Sequence, residues 1–88
     1  MFHKITSLAT HPDYILLAGF DDGEFRQFDL KPLIKKYTPF RSLTEINGLF
    51  SNAKIDAGGY GIAWNDDLDI SAESVYEQGT AVSAPHDI

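Results

Sequence analysis

The sequence predicts an α+β fold: a mainly antiparallel sheet made of two hairpins, with two or three short helices, in a single compact domain. Two segments carry the prediction, residues 14–29 (Tyr-Ile-Leu-Leu-Ala-Gly-Phe-Asp-Asp-Gly-Glu-Phe-Arg-Gln-Phe-Asp) and residues 61–71 (Gly-Ile-Ala-Trp-Asn-Asp-Asp-Leu-Asp-Ile-Ser). Each reads as an apolar strand that ends in a carboxylate-rich turn. A third observation adds the helices: apolar residues recur at helical spacing only over short stretches, first at Leu30, Leu33, Ile34 and Tyr37, then at Ala72, Val75 and Tyr76.

Taken in order, residues 5–8 form a first short strand, stopped by the turn signal His11-Pro12-Asp13. Residues 14–20 form a second, and Asp22-Gly23 is expected to close a two-residue hairpin in which Gly takes positive φ. That register sets Phe20 opposite Phe25 and Leu17 opposite Phe28. Side chains alternate along a strand, so Tyr14, Leu16, Ala18, Phe20 and Phe25 share one face, and Ile15, Leu17 and Phe28 the other. Asp29 is placed as the N-cap of a helix that tolerates Pro32 in its first turn and stops at Thr38-Pro39. Ser42-Leu-Thr-Glu45 has capping-box spacing, opening a short helix that closes near Asn47-Gly48. A second hairpin turns at Gly58-Gly59, pairing Ile55 with Ile62 and placing Trp64 on its buried face. Asn65-Asp66-Asp67 turns the chain again, Ser71 caps a last helix, and Gly79 ends it. Residues 1–79 make the domain; residues 80–88 read as a strap or a loose tail.

Composition narrows the function classes. At 88 residues the chain supports one core, and its 43% hydrophobic content is that of a globular protein. No apolar run reaches membrane-spanning length, the N-terminus lacks the apolar core of a signal peptide, and cytoplasmic localisation is the expectation. Without cysteine there are no disulfides or thiolate metal sites. A net charge of −6, with the basic residues scattered, argues against direct nucleic-acid binding and suits a basic protein partner.

The order of motifs resembles a small prokaryotic family, domain of unknown function 2442. The residues that carry the resemblance are the Phe20-x-Asp22-Gly23 hairpin, Phe28-Asp29-Leu30, Ile62-x-Trp64, Asp69-Ile70-Ser71 and Val75-Tyr76-Glu77-x-Gly79, spread over residues 5–82. Many members have Gly where Asp67 stands here. The resemblance implies a compact domain with a mixed, mainly antiparallel sheet and no assigned catalytic residues. It also implies a neighbour: such genes often lie beside those of domain of unknown function 4160, an arrangement that suggests toxin–antitoxin pairs with this family as the antitoxin. Some relatives add a C-terminal helix-turn-helix domain, which this sequence does not contain.

The expected function is therefore that of a non-enzymatic protein-binding module without a cofactor, the antitoxin-like half of such a pair, occluding a basic partner sterically. Candidate partner-binding residues are the acidic turn Asp21, Asp22 and Glu24, together with the face formed by Ile15, Leu17 and Phe28. That face could equally pair two copies as a homodimer. The alternative is a divalent-metal-binding protein or small metal-dependent enzyme, with Asp66, Asp67 and Asp69 supplying hard oxygen ligands. Those carboxylates lack the Gly and distal Glu of an EF-hand loop, and a solvated turn explains them as well. His3, His11 and His86 show no zinc-site spacing.

Overall fold

The computed structural model describes residues 2–84. Among the described residues, seven strands and three α-helices follow one another in the order β1 (Ile5–His11), β2 (Ile15–Phe20), β3 (Phe25–Asp29), α1 (Lys31–Lys36), α2 (Ser42–Glu45), β4 (Lys54–Ile55), β5 (Gly61–Asn65), β6 (Leu68–Ser71), α3 (Ala72–Gln78) and β7 (Thr80–Val82). They form two sheets, one ordered β1-β2-β3-β7 and the other β4-β5-β6. Every pairing is antiparallel, so the α+β class holds while the mixed sheet implied by the resemblance is replaced by two antiparallel ones. A radius of gyration of 12.4 Å matches the roughly 12 Å expected of one compact domain this long.

Local chemistry explains the turns. The β1–β2 turn places Asp13 and Tyr14 at positive φ (64° and 62°), a region that disfavours a tyrosine. Two contacts from the start of α1 hold it there: Leu30 N–H donates to the Tyr14 carbonyl (2.9 Å), and Lys31 Nζ to that of Asp13 (2.6 Å). The β2–β3 hairpin differs from expectation. Phe20 N–H donates to the Glu24 carbonyl (2.9 Å) and Gly23 N–H to that of Phe20 (3.0 Å), leaving a three-residue loop with Gly23 at φ 88°. A turn followed by a left-handed glycine accommodates that extra residue. Phe25 consequently pairs with Gly19 and Phe28 with Leu16, one step from the predicted register.

That step exchanges two aromatic side chains. Phe28 is 5% exposed and joins the core, so its expected place on the open face with Ile15 and Leu17 is corrected; Phe25 takes that place. The Phe25 ring lies over Gly19, where an added Cβ would come within 2.7 Å of Cε2.

The core fills the space between the sheets. Leu16, Ala18, Phe20 and Phe28 from the first sheet meet Ile62, Trp64 and Leu68 from the second, with Leu30, Leu43, Ala72 and Val75 from the helical segments. Leu16, Leu30, Ile62 and Val75 are wholly enclosed, each stabilising the fold by about 1.5–3 kcal/mol. Trp64 also donates its indole N–H to the Phe50 carbonyl (3.1 Å), as a buried indole requires.

Capping is mixed. Ser71 accepts from Ser74 N–H (3.1 Å) and starts α3 as expected. Asp29 accepts from Lys31 N–H (2.9 Å), one residue ahead of the Leu30 cap position. Ser42 forms no capping box; its hydroxyl donates to the Pro39 carbonyl (2.8 Å), because residues 38–41 already wind as a 3-10 turn into α2. The second hairpin keeps the predicted Ile55–Ile62 pair, but its loop is wider: Asp56 N–H donates to the Gly61 carbonyl (2.8 Å) around a 3-10 turn, Ala57–Gly59. Thr80–Val82, read from sequence as the start of a strap or tail, pairs with β3 as an edge strand; residues 85–88 lie outside the described residues.

Candidate binding surface

The first sheet has one face on the core and one turned away from it. Alternation along paired strands puts Ala9 and His11 of β1, Ile15 and Leu17 of β2, Phe25 and Gln27 of β3, and Val82 of β7 on the outward face. Ile15, Leu17, Phe25 and Val82 are half-buried by one another's neighbourhood, and none is among the side chains packed on the core. Shallow depressions of about 430 Å³ and about 400 Å³ open on either side of Ile15, floored in part by Leu17, Gln27 and Val82 on one side and by Pro32 and Leu33 on the other. Such an apolar strip can bury a partner's side chains and, in doing so, release its own surface from water.

Carboxylates stand at both ends of the strip. Asp21, Asp22 and Glu24 form the β2–β3 loop, and Asp13 and Asp29 lie at the opposite end of the same strands. The loop carboxylates are already engaged within the chain. Asp22 accepts from Glu24 N–H (2.9 Å) through Oδ1 and from the Tyr76 hydroxyl (2.7 Å) through Oδ2. The Tyr76 hydroxyl is the largest of the influences that hold the Asp22 carboxyl below its usual range, ahead of the Glu24 N–H, and the same bond raises the phenol of Tyr76. Glu24 pairs with Arg26 (2.7 Å), and Asp29 with Lys31 (3.1 Å). Asp13, Asp21 and Asp22 have no ion-pair partner among the described residues.

Sequence reasoning missed the network behind this loop. Tyr76 of α3 is sandwiched between the His3 imidazole, stacked at 3.6 Å and 11°, and the Arg26 guanidinium, 4.1 Å from the ring centre. Arg26 Nε also donates to the Tyr76 carbonyl (3.1 Å). His3 donates its backbone N–H to Glu73 Oε1, and its Nδ1 lies 3.1 Å from both carboxylate oxygens. These bonds, the backbone one foremost, keep the Glu73 carboxyl below its ordinary range. The four side chains come from the N-terminal segment, β3 and α3, so only the folded chain assembles them. They fasten the acidic loop to the helix.

The acidic residues of the second sheet are not gathered into a ligand set. Asp66 and Asp67 form the two-residue β5–β6 turn, where Asp67 N–H donates to Asn65 Oδ1 (2.9 Å), and Asp69 sits on β6 opposite Ala63. No group of three or more His, Cys, Asp or Glu side chains among the described residues is placed to hold a metal ion. His11 is exposed at the end of β1, and His86 lies outside the described residues. Among the described residues, no helix is long and apolar enough to cross a membrane.

The sequence that builds this surface matches a family model. The family model described as "Protein of unknown function (DUF2442)" matches residues 5–81, which span β1 to the middle of β7. The chain belongs to that family. No curated protein and no solved structure matches it. The matched stretch includes the Asp22-Gly23 loop and the Ser71-capped α3, and the family's description assigns no chemistry to them.

Proposed function

We propose that this domain is a protein-binding module, the antitoxin-like half of a two-gene pair, and that the outward face of the β1-β2-β3-β7 sheet occludes a basic protein partner. The observation that carries the proposal is the strip of Ile15, Leu17, Phe25 and Val82, an apolar surface separate from the core and flanked by carboxylates. Apolar contact would supply affinity, while Asp13, Asp21 and Asp22 would steer a cationic partner toward it. The net charge of −6 favours such a partner over a second copy of the chain, whose surface carries the same sign. Gene order in the family supports the product of the adjacent gene as that partner, by association.

Co-expression with the adjacent gene product, purification through a tag on the neighbour and sizing by light scattering test this reading. A stoichiometric complex with a neighbour that is harmful alone supports it. Separate elution with a harmless neighbour contradicts it, and a self-associated chain that ignores the neighbour would assign the strip to homodimerisation.

A further inference from the structure

A second feature lies away from the strip, where the N-terminal segment meets the loop between β4 and β5. Phe2 is 78% exposed and Tyr60 52%, unlike the buried aromatic residues of the core, and the two rings meet edge to face at 6.3 Å. They wall an open cavity of about 310 Å³ whose remaining lining includes His3, Ala72 and Glu73. Two large exposed rings that meet around one cavity form a contiguous apolar patch, the kind of surface that marks a binding site. On the other flank of Tyr60 is a smaller depression of about 200 Å³, lined in part by Asp56 and Asp69. A carboxylate therefore stands on each side of one exposed phenol ring.

We infer that this aromatic cleft is a docking site for arginine or lysine side chains of a basic peptide segment, with Phe2 and Tyr60 covering the aliphatic stem and Glu73 receiving the cationic head. The pieces have the chemistry that such a side chain needs. An aromatic face attracts a cation, and Tyr60 already has Lys4 Nζ at 5.7 Å from its ring centre. His3 fixes the Glu73 carboxylate beside the apolar cavity, and Asp56 and Asp69 on the far flank of Tyr60 have no ion-pair partner among the described residues. A long basic side chain lays its methylenes along apolar walls and leaves its charge at a polar rim. Asp56 and Asp69 allow a second basic side chain to sit on the far flank, so that a segment with two of them straddles Tyr60. The cleft does not depend on the sheet face binding anything, and either can fail without the other.

The test is a nuclear magnetic resonance titration of the whole chain with the peptide acetyl-Arg-Gly-Arg-amide, set against the same peptide with neutral citrulline in place of arginine. The inference expects saturable shifts of the Phe2 and Tyr60 ring signals with the arginine peptide and far smaller ones with citrulline, while the methyl signals of Ile15 and Leu17 stay in place. Tyr60→Leu should weaken binding about fivefold or more. Glu73→Gln should weaken it by a similar factor, and since that change also loosens His3, Asp69→Asn repeats the charge test without touching the N-terminal segment. Unchanged Ile62 and Val75 methyl signals show that a variant is folded. Equal shifts with citrulline, no shift up to about 10 mM arginine peptide, or full affinity in Tyr60→Leu overturns the inference.

Discussion

Gly79 lets the end of α3 approach β3, and replacing it with alanine tests whether that approach holds the two together. At φ −75° and ψ 164° the backbone suits any residue, so the need for glycine here is steric and not conformational. A Cβ at this position would fall 2.5 Å from the Val75 carbonyl oxygen, 3.1 Å from Arg26 Cβ and 3.2 Å from the Gln27 carbonyl oxygen. The first and last are backbone atoms, one in the helix and one in the strand, so neither can swing aside as a side chain would. Relief requires α3 to shift, loosening the Gly79 N–H bond to Val75 (2.9 Å). A lost hydrogen bond costs about 1 kcal/mol and a strained repacking about 1–3 kcal/mol, for a gross loss of about 2–4 kcal/mol. Alanine recovers about 0.4–1 kcal/mol by stiffening the unfolded chain. The net expectation for Gly79→Ala is a destabilisation of about 1.5–3 kcal/mol. With a urea slope of about 1 kcal/mol per molar, the unfolding midpoint should fall by about 1.5–3 M. Fluorescence of Trp64, the sole tryptophan, reports the transition. A midpoint that stays put or rises would refute the reasoning, because it would show that the glycine serves only as a flexible link.

Two further expectations concern the core and the network around Tyr76. Trp64→Phe removes the indole bond to the Phe50 carbonyl and part of the contact with Phe40, and should cost about 2 kcal/mol, read by circular dichroism in urea since the fluorophore is gone. Glu73 has a folded-state pKa below its ordinary value of 4.5, so its stabilising contribution is complete above that pH and is lost as the pH falls through the folded value. Glu73→Gln should therefore flatten the acid side of the stability profile below about pH 4.5 while leaving its shape above pH 6 unchanged; an identical acid slope in both proteins would remove Glu73 from the account.

Much of the architecture was legible in the sequence because local rules and burial agreed there. The Ile55–Ile62 pairing, the Ser71 cap and the burial of Trp64 each follow from a turn or an alternation that nothing distant opposes. The β2–β3 hairpin was legible as a hairpin but not in register. Asp22-Gly23 fits both a two-residue turn and a three-residue loop with a left-handed glycine, and the choice falls to side-chain packing. Setting Phe28 against Leu16 buries it in the core, and setting Phe25 over Gly19 fills a space only glycine leaves. The Ser42 capping box failed for a similar reason, since the preceding 3-10 turn leaves no extended residue to act as cap. The candidate surface was half legible: Ile15 and Leu17 follow from alternation, whereas Val82 joins them only once β7 pairs with β3. The stack of His3, Tyr76 and Arg26 unites residues up to 73 positions apart, and no spacing rule connects them. An aromatic residue just after a glycine turn, as Tyr60 follows Gly58-Gly59, and a Phe2-His3 pair just before the first strand were the available signals for the cleft.

The central claim is that the outward face of the first sheet meets a partner. Methyl resonances measure this most directly, with the chain labelled at Ile, Leu and Val and recorded alone and with the adjacent gene product. The account predicts that the methyl signals of Ile15, Leu17 and Val82 shift or broaden on addition, while those of Leu16, Ile62 and Val75 in the core keep their positions. Signals of the strip that stay fixed at saturating neighbour, or changes confined to the second sheet, would contradict it.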